Sequence, residues 1–178
     1  MMRLSLVLFI LVGSIPPTVA QTSIDLSPPT GTEFVRGFEL RDRYKLPKHI
    51  GEAAIFVDSV AVHHIRYEAS TIAWKDASGH WQQSQVSESG PGGLLAVQRK
   101  LEFSNARSLT IAEGQTLDRL IHDPTLYSEK VQTTGQPEMG APFHAMAIIT
   151  PYGRTTVRWG GRLQGKAGEV ADIILGHG

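Results

Sequence analysis

The sequence contains no cysteine, which excludes a disulfide scaffold, a thiolate metal site, a cysteine nucleophile and a lipid carried on an N-terminal cysteine. It also lacks any excess of charge: 17 Lys and Arg stand against 17 Asp and Glu, and the isoelectric point is near 7.1. No global field therefore draws the chain to nucleic acid or to an anionic membrane. Aromatic residues supply only 7% of the chain and charged residues 19%, while 41% is hydrophobic, a balance ordinary for a folded domain. The only asparagine, Asn105, sits in Asn-Ala-Arg, which is not a glycosylation sequon. At 178 residues the expectation is a single domain that buries roughly 70% of its unfolded surface without covalent staples.

The first 20 residues have the pattern of a secretory signal peptide. Arg3 is a short positive n-region, Leu4 to Val12 an apolar h-region, Pro16 and Pro17 a helix break, and Thr18-Val19-Ala20 a small-residue cleavage site. The apolar run of about a dozen residues is too short to span roughly 30 Å of hydrocarbon at about 1.5 Å per residue. The reading is a periplasmic or secreted bacterial protein, cleaved after Ala20, with no stable membrane insertion thereafter. The mature chain from Gln21 remains electrically bland and, lacking cysteine, relies on its packed core.

Residues 21–36, with Pro28-Pro29 among Ser, Thr and Gly, read as an extended Pro-rich leader, and residues 37–178 as one α+β domain. Phe38, Leu40, Tyr44 and Leu46 alternate with Glu39, Arg41, Arg43 and Lys45, which predicts an edge strand with a charged outer face. Ile55-Phe56-Val57, Val60-Ala61-Val62 and Ile72-Ala73-Trp74 are strand-like, and Asp76-Ala77-Ser78-Gly79 marks a hairpin turn before His80-Trp81. After the loop at Gly90-Pro91-Gly92-Gly93, a strand is expected over Leu94 to Phe103. Thr110-Ile111-Ala112-Glu113 matches a capping box, and Leu117, Leu120 and Ile121 follow at helical spacing, predicting a helix over about 111–122. Phe143 to Thr150 and Arg154 to Trp159 form a second hairpin across Pro151-Tyr152-Gly153. A short C-terminal helix is expected over about 169–175, stopped by Gly176. This order defines an α+β class with a mainly antiparallel β-sheet built from hairpins.

Motifs that would assign a chemistry are few. Gly160, Gly165 and Lys166 have the spacing of a phosphate-binding loop, but Ala167 stands where a Ser or Thr hydroxyl would hold Mg²⁺, so the segment reads as a Gly-rich connection. Asp118 and His122, four apart on the helix, form half of a conceivable metal site, although a histidine in a last helical turn is favoured there by the helix dipole. His63 and His64 are adjacent in a strand and point to opposite faces. His64, Arg66 and Glu68 share a face as a solvated cross-strand charge ladder, and His49 and His144 could join a cluster only through tertiary contacts. There is no Gly-x-Ser-x-Gly elbow, and Ser87, Ser89 and Ser104 are scattered. Asp58, Glu68, Glu88, Glu102 and Glu113 have no spacing diagnostic of a glycosidase pair. Arg154, Arg158 and Lys166 make a modest basic cluster without a stacking stripe, so nucleic acid is not an expected partner. Trp74 and Trp81 flank the first hairpin turn and read as a cross-strand or core pair.

The order of elements over Leu101 to Leu175 resembles emfourin-type inhibitors of thermolysin-like proteases: a strand, a helix carrying Leu117, Leu120 and Ile121, a hairpin over Ile148 to Trp159 and a short terminal helix. The resemblance implies a protease as partner and transfers no inhibitory residue. The residues themselves assign no catalytic, cofactor-binding or metal site and no cofactor. The leading expectation is a non-enzymatic binding or interaction module whose partner is an envelope protein or a protease, with Lys130 to Pro142 and the charged Glu39 to Lys45 face as contact surfaces. A protease-inhibitor-like domain is the alternative, and a histidine-dependent hydrolase or metal-binding protein, which requires at least three such groups to converge in one cleft, is the second.

Overall fold

Apolar runs rich in Ile, Val and Ala and two more polar, Ser- and Gln-containing runs pair into one six-stranded sheet whose two faces are covered by different helices. A computed structural model describes residues 24–48, 51–62, 65–91, 99–134 and 140–176. The expected signal peptide, His49, His63, His64 and the first half of the expected strand from Leu94 lie outside these residues, as does 135–139 of the polar Lys130 to Pro142 segment.

The chain enters through a 3₁₀ turn at Thr32–Phe34 and helix α1 (Val35–Arg43), then forms β1 (Ala54–Val62), β2 (Ile65–Lys75), β3 (Trp81–Pro91) and β4 (Lys100–Ser108). Helix α2 (Ile111–Ile121) and a second 3₁₀ turn (Pro124–Tyr127) lead to a two-residue strand β5 (Thr133–Thr134). The hairpin of β6 (Phe143–Thr150) and β7 (Gly153–Trp159), the short β8 (Arg162–Leu163) and helix α3 (Gly165–Leu175) complete it. The strand order is β4-β3-β2-β1-β6-β7, and neighbours are antiparallel throughout; β5 and β8 pair separately. The fold is therefore α+β with a mainly antiparallel sheet, as the hairpin signals predict.

The two-residue period of the strands sorts the core into two layers. Ile55, Val57, Ala73, Met146, Ile148 and Val157 point to one face and meet Leu117, Leu120 and Ile121 of α2 and Val170, Ala171 and Ile174 of α3. Ala54, Phe56, Ile72, Ala147 and Ile149 point to the other and meet Phe34, Phe38 and Leu26. Trp81 belongs to the first layer and Trp74 to the second, so the two tryptophans are not the pair expected. Trp74 lies opposite Gln82, and Trp81 opposite Lys75.

Helix α2 has the predicted capping box, with the Thr110 hydroxyl accepting from the Glu113 N–H and the Glu113 carboxylate accepting from the Thr110 N–H. Gly176 closes α3 in the left-handed region at φ 74°, a conformation that costs a side-chain-bearing residue roughly 1–2 kcal/mol. Helix α3 starts at Gly165, four residues before the expected start. Strand β4 is displaced towards the C-terminus of the expected range, because it extends to Ser108 opposite Gln82.

The main correction concerns residues 38–46, which form no strand. Phe34, Gly37, Phe38 and Arg41 face inward at spacings of three, four and seven, which is a helical stripe. It is hidden in the sequence because two of its members are a glycine and an arginine. The extended run expected through residue 36 ends at Gly31, and Phe34 is already in the core. Thr133 and Thr134, within the polar Lys130 to Pro142 segment, pair with Leu163 and Arg162.

Gly37 is where α1 touches the sheet, and a Cβ there would overlap the Asp58 carboxylate. Gly37→Ala is expected to lower stability by about 2–3 kcal/mol, as overpacking does. Gly176→Ala, with open space around it, should cost only about 1 kcal/mol through its positive φ; urea denaturation of both variants checks the ranking. Thr110→Ala should cost about 1 kcal/mol by removing the cap. The Arg107 side chain, with the cap bonds, depresses the Glu113 carboxyl from 4.5 to about 2. Stability from Glu113 is thus complete above 4.5 and is lost as pH falls towards about 2. Glu113→Gln should narrow its deficit against wild type over that window in acid-titrated urea melts.

Candidate functional site

The face of the sheet beneath α1 carries three buried carboxylates, Asp58 on β1, Glu68 on β2 and Glu88 on β3. Buried carboxylates require partners, and α1 supplies a cation for each.

Arg41 is 0% exposed. Its Nε donates to Ser70 Oγ at 3.0 Å, and its two terminal nitrogens donate to the carbonyls of Ser70, Ser84 and Pro47 at 3.1, 2.6 and 2.9 Å. Burial pulls its pKa down to about 10, against the neighbouring Asp58 charge, which raises it. Asp58 accepts the Ser70 hydroxyl and the Gly37 N–H, yet burial pushes its carboxyl up to about 7 despite these bonds and Arg41.

Glu68 and Glu88 lie directly opposite each other across β2 and β3, at 4% and 2% exposure. Arg66 donates Nε and a terminal nitrogen to Glu68 at 2.9 and 2.6 Å; Arg43 and Arg99 donate to Glu88, with Tyr44 Oη 3.4 Å away. Arg36 and Arg99 each approach Glu68 at 3.6 Å. Burial alone would raise the Glu88 carboxyl, but Arg43 and Arg99 hold it below the usual range. Arg66 and Glu68 pair on one strand face as expected, but Glu68 is buried, so the arrangement is not the solvated ladder expected. The Glu39 to Lys45 face is no strand surface: Arg41 and Arg43 turn inward, and Asp42 pairs with Lys48.

Beside this network, a cleft of about 560 Å³ opens between the start of α1 and the β1–β6–β7 end of the same face. Strand register builds its floor: Val60 lies opposite Phe143, Asp58 opposite Ala145, and Ala145 opposite Arg158. Thr32, Glu33 and Arg36 form the wall from the α1 side, and Thr133 and Gly160 also line the cleft. Phe143 is 64% exposed, although it lies in a strand. Arg158 and Glu33 close the rim with a 2.6 Å ion pair.

On the opposite face, Ser59 Oγ and His144 Nδ1 are hydrogen-bonded at 2.7 Å, and the imidazole stacks on Trp159 with ring centroids 4.9 Å apart. Cavities of about 370 and 420 Å³ adjoin His144. A serine–histidine contact is a component of nucleophilic catalysis, but Ser59 is buried within β1, so the contact orients the ring rather than presenting a nucleophile.

A third cavity, of about 580 Å³, lies at the other end of the sheet among Lys75, Asp76, His122 and Tyr152. Its polar groups have internal work. Lys75 Nζ and Trp81 Nε1 donate to Asp118 at 2.7 and 2.9 Å, and Asp76 caps its turn by accepting from Ser78, His80 and Gln82. Those bonds, the Ser78 side-chain contact first, lower the Asp76 carboxyl to about 2. The cleft beside α1 is the stronger candidate because an exposed aromatic and half-exposed cations meet there.

Among the described residues, the groups singled out in the sequence are dispersed. Asp118 serves Lys75 and Trp81, while His122 Nδ1 contacts the Asp118 carbonyl and its ring lies against Tyr152. His80 bonds Ser78 in the β2–β3 turn, and His144 on β6 bonds Ser59 of β1. Among the described residues, no three His, Cys, Asp or Glu side chains are grouped to hold a metal ion. Lys166 of the Gly-rich connection donates to Asp123 and Thr125. Arg154 donates to the carbonyls of Asp25 and Ser27, and Arg158 to Glu33, so the basic cluster is engaged separately at each member. Among the described residues no helix is long and apolar enough to cross a membrane.

Comparison of the chain with protein-family models, with curated proteins and with solved structures finds no match. The resemblance to emfourin-type inhibitors therefore rests on the order of elements alone.

Sequence reasoning missed Arg36, Val60 and Phe143 as a group, since strand pairing and helix docking unite residues 32 to 160. One signal was present: Asp58 interrupts the apolar run from Ala53 to Val62, and a lone carboxylate in a buried strand requires a dedicated cation. For Asp58, the folded carboxyl lies at about 7 against an ordinary 3.8. The folded state binds this proton more tightly, so stability falls as pH rises across that interval. The wild type should lose stability relative to Asp58→Asn from the lower to the upper value, read as the difference between their urea midpoints; a flat difference would show an unshifted carboxyl.

Proposed function

We propose that the mature chain is an exported, non-enzymatic binding module of the bacterial envelope and that the cleft beside α1 holds its ligand. Export rests on the signal-peptide pattern of residues 1–20. Binding rests on one observation: Val60 and Phe143, direct partners on β1 and β6, form an apolar floor left open by α1, under a rim of Arg36, Glu33 and Arg158. A concave apolar surface with a few fixed polar groups is the usual form of a small-ligand site. The order of elements shared with emfourin-type inhibitors adds no residue to this reading, and the polar Lys130 to Pro142 segment contributes Thr133 to the cleft wall.

The full-length chain, expressed with its leader in a bacterial host, should yield a mature N-terminus at Gln21 in the periplasmic or medium fraction. Native mass spectrometry of that product after incubation with small-molecule extract of the envelope should show a bound species. The species should be lost in Phe143→Asp, whose side chain sits at an exposed floor position. Equal retention by wild type and variant would remove the cleft as the site.

A further inference from the structure

We infer that the cleft takes an amphipathic anion, with an apolar body on Val60 and Phe143 and a carboxylate or comparable oxyanion on Arg36. This rests on the cleft being a binding site and names the chemistry of its ligand.

The charges around the cleft do not cancel. Glu33 is paired with Arg158 at 2.6 Å. Asp58 is held inside the protein by Ser70, Gly37 and the neighbouring Arg41. Arg36 is left. Its nearest carboxylate, Glu68, already accepts two hydrogen bonds from Arg66 and has Arg99 at 3.6 Å on its other oxygen. Arg36 reaches Glu68 only as an ion pair at 3.6 Å, outside hydrogen-bond range, and its side chain is 49% exposed. Among the described residues, four guanidiniums (Arg36, Arg43, Arg66 and Arg99) thus surround two carboxylates, Glu68 and Glu88. The surplus is positive, and Arg36 is the member that lines the cleft.

Geometry supplies the rest of the ligand. Arg36 stands on the first turn of α1, above a floor in which Val60, Phe143 and Ala145 carry no polar side-chain atoms and the fourth member, Asp58, is bonded inward to Ser70 and Gly37. A guanidinium fork matches a carboxylate or phosphate edge with two parallel N–H donors. A hydrophilic anion alone would leave the 64% exposed Phe143 ring in water, and a purely apolar ligand would partly desolvate the Arg36 charge while leaving it only its 3.6 Å ion pair with Glu68. An apolar chain or ring ending in an oxyanion satisfies both groups at once.

The test uses the mature chain and three probes that share one tail: octanoate, octanol and octylammonium, titrated by NMR with the Val60 and Phe143 resonances as reporters. Octanoate should bind about fivefold more tightly than octanol, a partly solvated charge-assisted contact being worth on the order of 1 kcal/mol, and octylammonium should be the weakest. Arg36→Gln should bring octanoate down to the octanol affinity and leave octanol unchanged, which also shows that the variant is folded. Equal binding of octanoate and octanol by wild type, or an octanoate preference that survives Arg36→Gln, overturns the anion assignment while the cleft stands. Tighter binding of octylammonium reverses its sign. Absence of any shift at Val60 and Phe143 with all three probes removes the cleft itself.

Discussion

The guanidinium of Arg41, sealed between α1 and the sheet, is the constraint on which the α1 layer depends. A cation removed from water is tolerated only when its donors are satisfied and an opposite charge is near. Here strand carbonyls at Ser70 and Ser84, the loop carbonyl of Pro47 and the Ser70 hydroxyl accept from it, with Asp58 alongside. These acceptors lie on two strands and the segment after the helix, so one side chain fixes the height, rotation and exit of α1 together. Gly37 completes the fit by letting the helix backbone approach the Asp58 carboxylate and donate to it.

The two faces of the sheet are consequently held by different physics. Beneath α2 and α3 the contacts are those of Leu117, Leu120, Ile121, Val170 and Ile174 against aliphatic strand residues, a non-directional attraction that tolerates small shifts of the helices. Beneath α1, the apolar layer of Phe34 and Phe38 is supplemented by Arg36, Arg41 and Arg43 reaching Glu68, the Asp58 site and Glu88. Such contacts contribute modest net stability after desolvation, but the wrong register would strand a buried charge. A helix of only nine residues covers part of this face, and the uncovered remainder is the cleft.

Legibility in the sequence followed the range of the interactions. The capping box at Thr110 and Glu113 and the turns at Asp76 to Gly79 and Pro151 to Gly153 are local, and each is where the residues place it. Residues 38–46 misled because their alternation fits a strand, whereas the true inward stripe uses Gly37 and Arg41, which no hydrophobic count registers. Trp74 and Trp81 read as partners although the β2–β3 register sends them to opposite faces. For the site, Glu68 and Arg66 were visible as a pair on one strand face, but Glu88 opposite and the arginines from α1 and beside β4 were not.

Composition and local pattern by themselves determined the class: a cysteine-free α+β chain with hairpins, a capped middle helix and a glycine-stopped final one. These depend on backbone conformation within a few residues, which short sequence carries in full. Tertiary structure alone decided which face each helix covers, which charges are buried together, and that Val60 meets Phe143 beneath Arg36. Those outcomes depend on pairing residues 24 to 107 positions apart, and the apolar burial and charge desolvation that distinguish one pairing from another arise only once the layers have closed.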